Sequence, residues 1–249
     1  MFQYVIESDT GRKREVNEDR VAVLKRPGGL LLALVADGMG GHNAGDVASR
    51  MAVDELGRRF MEADEEALGT AEEKTSWLSG QVLQVNRLVY EHSVTHSECK
   101  GMGTTLIAAL IEGDDCVLCH IGDSRAYVIG PSMTQLTRDH SYVNVLVDNG
   151  EITQQQAEDH PKKNWILRSL GTEPDIEREM HHFSLAGTSY FLICTDGLSN
   201  KLSERDMSSI VRSKASLSQK GKALIALAND LGGEDNISFV LLTALGEEV

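Results

Sequence analysis

The alternation of apolar and polar positions predicts strands in the first part of the chain. Residues 4–8, 20–24 and 30–36 have strand character, and a Pro-Gly-Gly turn at 27–29 separates the second from the third. Two strands joined by a tight turn form an antiparallel hairpin. We therefore expect the polar residues before the second strand to lie at the same end of the hairpin as Asp37, which follows the third.

Apolar residues at helical spacing follow this hairpin. They predict a helix over 44–60 and a second over about 76–92, with Thr75 as its N-cap. Later helices are predicted over 202–210 and 220–231. All four have one apolar face, which is typical of helices that pack on a sheet.

The middle and the end of the chain are rich in strands. Runs at 103–111, 115–121 and 125–129 are joined by short turns, and this spacing predicts a three-stranded meander. Two further strands are expected at 190–195 and 237–245.

One long stretch is irregular and polar. It covers residues 138–171, with short helical pieces around 142–149 and 153–159. An excursion of this length inside a domain is typically a functional lid or an insertion.

Aspartates lie at the ends of five predicted strands. They are Asp19, Asp37, Asp123, Asp196 and Asp235. Asp37 and Asp196 each follow a buried run and precede glycine, a pattern that is usually only a turn when it occurs once. Its repetition favours convergence of these carboxylates at one mouth of the sheets, where unpaired like charges would repel unless a cation lay among them.

The composition fits one soluble domain that spans all 249 residues. Apolar content is 41%, charged content is 25%, and no Gly/Ser/Pro-rich linker divides the chain. Lys and Arg number 24 against 38 Asp and Glu, for a net charge of -14. An acidic surface argues against nucleic-acid binding, which requires a basic footprint.

The N-terminal sequence, the lengths of the apolar runs and the cysteine content suggest a cytoplasmic protein. The N-terminus lacks the pattern of a signal peptide, and no apolar run approaches the length of a membrane span. The four cysteines are expected to be reduced. Cys116 and Cys119 have CxxC spacing, but within a strand they should point to opposite faces, which disfavours a zinc site.

Carboxylates at strand ends suit hard cations. Mg²⁺ and Mn²⁺ prefer oxygen ligands and keep several waters when few carboxylates bind them. A two-metal site of this kind activates water and neutralises phosphate charge. No Ser-His-Asp, Cys-His or P-loop arrangement competes with this interpretation.

Six ordered segments now identify a resemblance. The chain resembles the metal-dependent Ser/Thr protein phosphatases of the PP2C type in their compact bacterial form. The segments are Ser8-Asp9-x-Gly11-x-x-Arg14-x-x-Asn17-Glu18-Asp19, Asp37-Gly38-Met39-Gly40-Gly41-His42, Gly103-Thr104-Thr105, Gly122-Asp123-Ser124-Arg125, Thr195-Asp196-Gly197-Leu198 and Gly233-Glu234-Asp235-Asn236. Each is weak alone, but their order over nearly the whole chain is specific.

The resemblance implies a fold and a metal centre. The fold class would be α+β, a four-layer αββα sandwich of two antiparallel sheets flanked by helices, with 138–171 as its flap. Asp37 would bridge two Mn²⁺ or Mg²⁺ ions, and the Gly38 carbonyl would bind one of them. Asp196 and Asp235 would complete the other ion. Asp19 and Glu18 would hold bound waters, with Asn236 behind them, and Asp123 would help to hold a third, weaker ion.

The resemblance also implies a reaction. Arg14 would clamp the substrate phosphate, although its position beside Arg12 and Lys13 would otherwise indicate only a solvated basic patch. A water between the two ions would attack the phosphorus of phosphoserine or phosphothreonine directly. Many relatives have His two residues after the bridging Asp as a candidate general acid. Met39 stands there in this chain, so His42 is a candidate replacement, with capping of the next helix as the alternative.

Partners follow from the same resemblance. We expect phosphorylated proteins as substrates, made by a Ser/Thr kinase that could itself be one of them, and a monomeric enzyme without nucleic-acid or membrane partners. Two other functions fit parts of the pattern. One is a pseudophosphatase that binds phosphoproteins, which should lack metal ligands, and the other is a two-metal phosphodiesterase.

Overall fold

The computed structural model describes residues 2–40 and 44–244, and their helices and strands form four layers. The strands are β1 Phe2–Asp9, β2 Asp19–Lys25, β3 Leu31–Met39, β4 Gly103–Thr104, β5 Leu106–Glu112, β6 Asp115–Ile121, β7 Arg125–Ile129, β8 Met133–Gln135, β9 Glu179–Ser184, β10 Tyr190–Cys194 and β11 Ile237–Ala244. The α-helices are α1 Ala44–Glu62, α2 Ala71–Thr95, α3 Tyr142–Asp148, α4 Gln154–Glu158, α5 Asp196–Ser199, α6 Glu204–Val211 and α7 Leu217–Asp230.

Two antiparallel sheets form the inner layers. The first has the strand order β1-β11-β10-β7-β8, and the second has β2-β3-β5-β6-β9 with the short β4 paired to β3. Helices α1 and α2 cover the outer face of the second sheet, and α6 and α7 cover the outer face of the first. The expected αββα sandwich is confirmed.

Strand β3 explains why its sequence is a continuous apolar run. Leu32, Leu34 and Ala36 pack under the outer helices, whereas Ala33 and Val35 face the opposite sheet. Both faces of the strand are therefore buried, and the usual polar alternation is lost. Cys116 and Cys119 likewise belong to different cores, as their spacing in β6 predicts.

The predicted meander is wrong in its third strand. Strands β5 and β6 pair with each other, but β7 belongs to the other sheet and pairs with β10 and β8. The free edge of β6 is taken by β9 instead. Gly122, with φ of 103°, directs the chain from one sheet to the other and not back along β6.

The start of the second helix also differs from the prediction. Helix α2 begins at Ala71, and its N-cap is Thr70, which forms a reciprocal capping box with Glu73. Thr75 lies inside the helix and donates its hydroxyl to the Ala71 carbonyl. The first turn of α2 is polar, and the apolar face of the helix begins only after it. The apolar spacing therefore predicts a start that is several residues too late.

The short helices of the flap are confirmed, since α3 and α4 lie within residues 138–171. Among the described residues no helix has both the length and the apolar character needed to cross a membrane.

Candidate active site

The β2–β3 hairpin supplies the first two carboxylates. Asp19 and Asp37 are direct partners in its register, so both lie at one end of the hairpin, as predicted. The Asp37 backbone N–H donates to Thr105 Oγ1 at 2.9 Å, and Thr104 Oγ1 donates to the Asp37 carbonyl at 2.9 Å. Two threonine hydroxyls thus fix the backbone of Asp37.

The other sheet supplies Asp196 and Asp235. Asp196 is the first residue of α5, directly after β10, and Asp235 lies in the loop before β11. Thr195 connects the two sheets, because its hydroxyl donates to Asp19 Oδ2 at 3.0 Å and accepts from the Ser238 N–H at 3.0 Å. The four carboxylates are therefore held against one another from both sides of the sandwich.

Asn236 fixes the loop that carries Glu18. Its Oδ1 accepts from the Glu18 N–H at 2.8 Å, and its Nδ2 donates to the carbonyls of Thr10 and Val16 at 2.9 and 3.0 Å. The Glu18 carboxylate faces the backbone N–H groups at the start of α1. Asn236 acts on the polar loop through backbone bonds and thereby orders the surroundings of the carboxylates.

Gly38 lies where two backbones meet. Its N–H donates to the Glu18 carbonyl at 3.1 Å, and a Cβ at this position would lie 2.6 Å from that carbonyl oxygen and also strike the Gly45 carbonyl. Only glycine permits this approach, which leaves the carbonyl of Gly38 beside Asp37.

Asp123 follows β6 at the crossing between the sheets. The neighbouring Ser124 hydroxyl bonds the Thr105 hydroxyl at 2.7 Å. Arg125 holds Asp139 through bonds of 2.9 Å from Nε and 2.7 Å from an outer guanidinium nitrogen. This ion pair fixes the entrance of the flap beside Asp123.

Burial and mutual repulsion control the charge state of these carboxylates. The pKa of Asp19 is raised to about 7 and that of Asp196 to about 6, first because the groups are buried and then because aspartates surround them. The pKa values of Asp37 and Asp123 are raised well above the ordinary value for the same reasons. At neutral pH the protein alone stabilises this cluster poorly.

The residues present fit hard divalent cations. Asp19 Oδ1 and Asp123 Oδ1 are buried and have no hydrogen-bond partner within the described chain. Leaving such a group unpaired is costly, and a cation would remove both the desolvation and the repulsion.

Arg14 lies at the rim of this cluster. One of its outer guanidinium nitrogens donates to Asp235 Oδ2 at 2.9 Å, and half of the side chain remains exposed. The guanidinium therefore keeps N–H groups that no other described residue binds, and they are available to a ligand beside the carboxylates. A planar fork of this kind matches the oxygens of a phosphate.

A cleft of about 830 Å³ opens beside the carboxylates. Asp123, Asp196 and Asp235 lie along it, the flap residues Val143 and Ala157 form one wall, and α5 with the loop after it forms the other. The flap thus borders the candidate site, as expected for a segment that affects substrate access.

The structure brings together all the predicted site residues that it describes: Arg14, Glu18, Asp19, Asp37, Gly38, Asp123, Asp196, Asp235 and Asn236. His42 lies outside the described residues. The sequence assigns no function to Thr105 and Thr195, although both lie in segments that carry the resemblance. Thr195 directly precedes Asp196, whereas Thr105 is far from Asp37 along the chain and only strand pairing brings the two together.

The sequence analysis does not predict a second cluster of possible metal ligands. His120, His140 and Glu179 bring ligand atoms within 4.8 Å of one another. They come from β6, the start of the flap and β9, and no spacing along the chain relates them.

Comparisons with known proteins agree with this geometry. A family model described as protein phosphatase 2C matches residues 10–231. The Ser/Thr phosphatase Stp of Listeria welshimeri is 42% identical over 236 residues, which cover 94% of this chain and 93% of the relative. The crystal structure of Stp1 from Staphylococcus aureus superposes with a TM-score of 0.93 at 34% identity, covering 99% and 96% of the two chains.

A further solved structure bears on the metal. The catalytic domain of PstP, a Ser/Thr protein phosphatase crystallised in complex with two manganese ions, is 31% identical with a TM-score of 0.81 and 97% coverage of both chains. Fold, ordered segments and site agree over almost the full length. The chain belongs to the protein phosphatase 2C family of serine/threonine phosphatases.

Proposed function

We propose that this protein is a Mn²⁺- or Mg²⁺-dependent phosphatase that hydrolyses phosphoserine and phosphothreonine in proteins. One observation carries the proposal. Buried, mutually repelling carboxylates, two of which have an unpaired oxygen among the described residues, lie beside a half-exposed guanidinium, and three of the aspartates line a cleft. This combination suits a doubly charged phosphate only if cations neutralise the carboxylates.

The division of the carboxylates between the ions follows from the family resemblance. Asp37 would contact both ions, with the Gly38 carbonyl on one of them. Asp196 and Asp235 would complete the other ion, and Asp19 and Glu18 would hold bound waters. Asp123, at the entrance of the flap, would help to hold a third ion.

Bound Mn²⁺ or Mg²⁺ would supply an activated water and neutralise charge on the phosphate. Arg14 would bind the phosphate oxygens and orient the phosphate for attack. The hydrogen bonds of Thr195 to Asp19 and to the Ser238 N–H hold the carboxylate in place beforehand. No cysteine or histidine nucleophile is required, because attack on phosphorus is direct.

His42 is the proposed general acid for the departing alcohol. A His42→Ala variant should lose turnover of a phosphothreonine peptide most at the lower pH values, where the wild-type imidazole is protonated and can donate its proton to the departing alcohol. Full turnover across the pH range would assign that role to a bound water instead.

The substrates that we propose are phosphoproteins produced by a Ser/Thr kinase, and the kinase itself could be one of them. The acidic surface disfavours nucleic acid as a partner. We further propose that the enzyme is a monomer of the cytoplasm.

The decisive experiment is hydrolysis of p-nitrophenyl phosphate and a phosphothreonine peptide with Mn²⁺, with Mg²⁺ and with EDTA. We expect activity with either ion and none after chelation. Undiminished activity in EDTA would refute the mechanism. Faster hydrolysis of bis-p-nitrophenyl phosphate than of the monoester would identify a phosphodiesterase, and binding of the phosphopeptide without hydrolysis would identify a pseudophosphatase.

A further inference from the structure

A second group of polar side chains connects the flap to the turn that carries Asp123. Glu179, the first residue of β9, is at its centre. Its Oε1 lies 3.1 Å from Nε2 of His140, at the start of the flap, and 3.8 Å from a guanidinium nitrogen of Arg168, near the end of the flap. One carboxylate therefore faces both ends of the excursion.

His140 continues this connection to the Asp123 turn. Its backbone N–H donates to the Gly122 carbonyl at 2.8 Å, and its Nδ1 accepts from the Gly122 N–H at 3.1 Å. His140 therefore hydrogen-bonds both the N–H and the carbonyl of Gly122. The His140 ring thus holds the Ile121–Gly122 peptide, and its backbone N–H holds the Gly122–Asp123 peptide directly before Asp123.

The two ends of the flap are also joined by backbone bonds. The Leu167 N–H donates to the His140 carbonyl at 2.8 Å, and the Tyr142 N–H donates to the Trp165 carbonyl at 2.8 Å. These bonds form a short antiparallel base for the flap. The backbone bridge between Thr104 and Leu170 joins the end of the flap to the second sheet, and Glu179 adds a side-chain contact from that sheet to the base.

A transition-metal site is the obvious alternative for His120, His140 and Glu179, but the hydrogen bonds argue against it. A backbone N–H can only donate, so Nδ1 of His140 must accept and carries no proton. The proton of the neutral ring is then on Nε2, the atom that faces Glu179, and that nitrogen has no lone pair for a metal. Metal-bound histidines normally show the reverse arrangement, with the second nitrogen donating.

His120 supports the same arrangement. Its ring packs on the His140 ring with centroids 4.6 Å apart, and it is fully buried. Burial lowers its pKa to about 3, so it remains an uncharged surface against which His140 is oriented. The third histidine, His181, lies with Nε2 3.5 Å from the other oxygen of Glu179.

We propose that Glu179 is a positioning residue for the phosphatase reaction. Through His140 it holds the Gly122–Asp123 turn, and with Arg168 it holds the far end of the flap, so the flap wall and Asp123 keep one fixed relation. This inference rests on the proposed function for its effect on catalysis. Its consequence is selective, because a protein substrate must contact the flap whereas a small aryl phosphate need not.

The test compares Glu179→Ala with Glu179→Gln and Glu177→Ala. Glu177 contacts the same arginine at 2.5 Å but is far more exposed, and no contact joins it to His140 among the described residues, so it is the matched control. We expect Glu179→Ala to raise KM for a phosphothreonine peptide roughly fivefold, with kcat for p-nitrophenyl phosphate changed less than about twofold. Glu179→Gln should restore most of the peptide KM, because an amide oxygen of the same shape can lie beside Nε2 of His140.

Amide hydrogen exchange in EDTA provides a second readout that requires no activity. Exchange at Gly122 and Leu167 should accelerate in Glu179→Ala and remain unchanged in Glu177→Ala. Unaltered exchange together with an unaltered peptide KM would overturn the proposal. Tight binding of one Zn²⁺ that Glu179→Ala abolishes would overturn it in favour of a metal site. If the wild type hydrolyses neither substrate, the proposed function fails, and the exchange experiment still decides the role of Glu179.

Discussion

Without bound cations, the ionised aspartates of the site repel one another. Burial and neighbouring carboxylates raise the pKa of Asp37, and the partners that could compensate it are also aspartates. The charge of Asp37 is therefore required to bind cations, but it lowers the stability of the metal-free protein. The consequence can be measured by removing one charge while the shape of the side chain is kept.

Asp37→Asn should reduce turnover with Mn²⁺ by at least about a hundredfold, because the shared ligand is lost. In EDTA the same variant should melt at a higher temperature than the wild type, since one repelling charge has gone. Differential scanning fluorimetry and p-nitrophenyl phosphate assays measure the two effects. Asp114→Asn, in an exposed turn, should change neither. A lower melting temperature for Asp37→Asn in EDTA would contradict this account.

Arg14 should act on substrate binding. Hydrogen bonds to charged groups contribute about 1.5–3 kcal/mol, so Arg14→Ala should raise KM for a phosphopeptide tenfold or more. Lysine should restore little, because it lacks the planar fork. Steady-state kinetics with Lys13→Ala as the control for loss of a nearby charge would check this. Equal effects at both positions would show that only general charge matters.

At the scale of the elements, local patterns predicted most strands, but pairing across the sheets could not be read from them. The position of each aspartate at a strand end is local information, and all five were found in that way. The bond from Thr195 to Asp19 joins residues 176 positions apart, and the meander failed because the partner of β7 comes much later in the chain. The same limit hid His120, His140 and Glu179, whose proximity depends on pairing between β6 and β9.

The contact between the β2–β3 hairpin and α1 depends on a missing side chain. Gly38→Ala should destabilise the protein by about 1–3 kcal/mol, because the new Cβ strikes backbone carbonyls that have no room to move. Gly80→Ala in α2 is the matched control. No atom lies within 4 Å of its added Cβ, so it should stabilise the helix by about 0.5–1 kcal/mol. Urea unfolding compares the two variants, and equal effects would contradict the structural explanation.

For the whole molecule, raised aspartate pKa values make stability depend on pH in an unusual direction. The folded state binds protons more tightly than the unfolded chain, whose aspartates titrate near 3.8, up to the value of about 7 for Asp19. The contribution of this group is therefore present at low pH and lost as pH rises toward and through 7. In EDTA the melting temperature should be higher at pH 5.5 than at pH 7.5.

Excess Mn²⁺ should reduce or reverse this pH dependence, because cations favour the ionised carboxylates. The matched comparison is the same pair of melts with Mn²⁺ in place of EDTA. A melting temperature in EDTA that increases from pH 5.5 to pH 7.5 would contradict the prediction.

The origin of the carboxylates in both sheets has a topological consequence. Asp19 and Asp37 belong to one sheet, and Asp196 and Asp235 belong to the other, with about 200 residues between the first and the last. Ions held by all four would act as a reversible cross-link that closes most of the chain into a loop. For loops of this length a covalent cross-link removes about 5.4 kcal/mol of chain entropy from the unfolded state. The metal centre would then stabilise the contact between the two sheets as well as catalyse the reaction. The metal concentration would therefore set the unfolding free energy of the enzyme as well as its turnover.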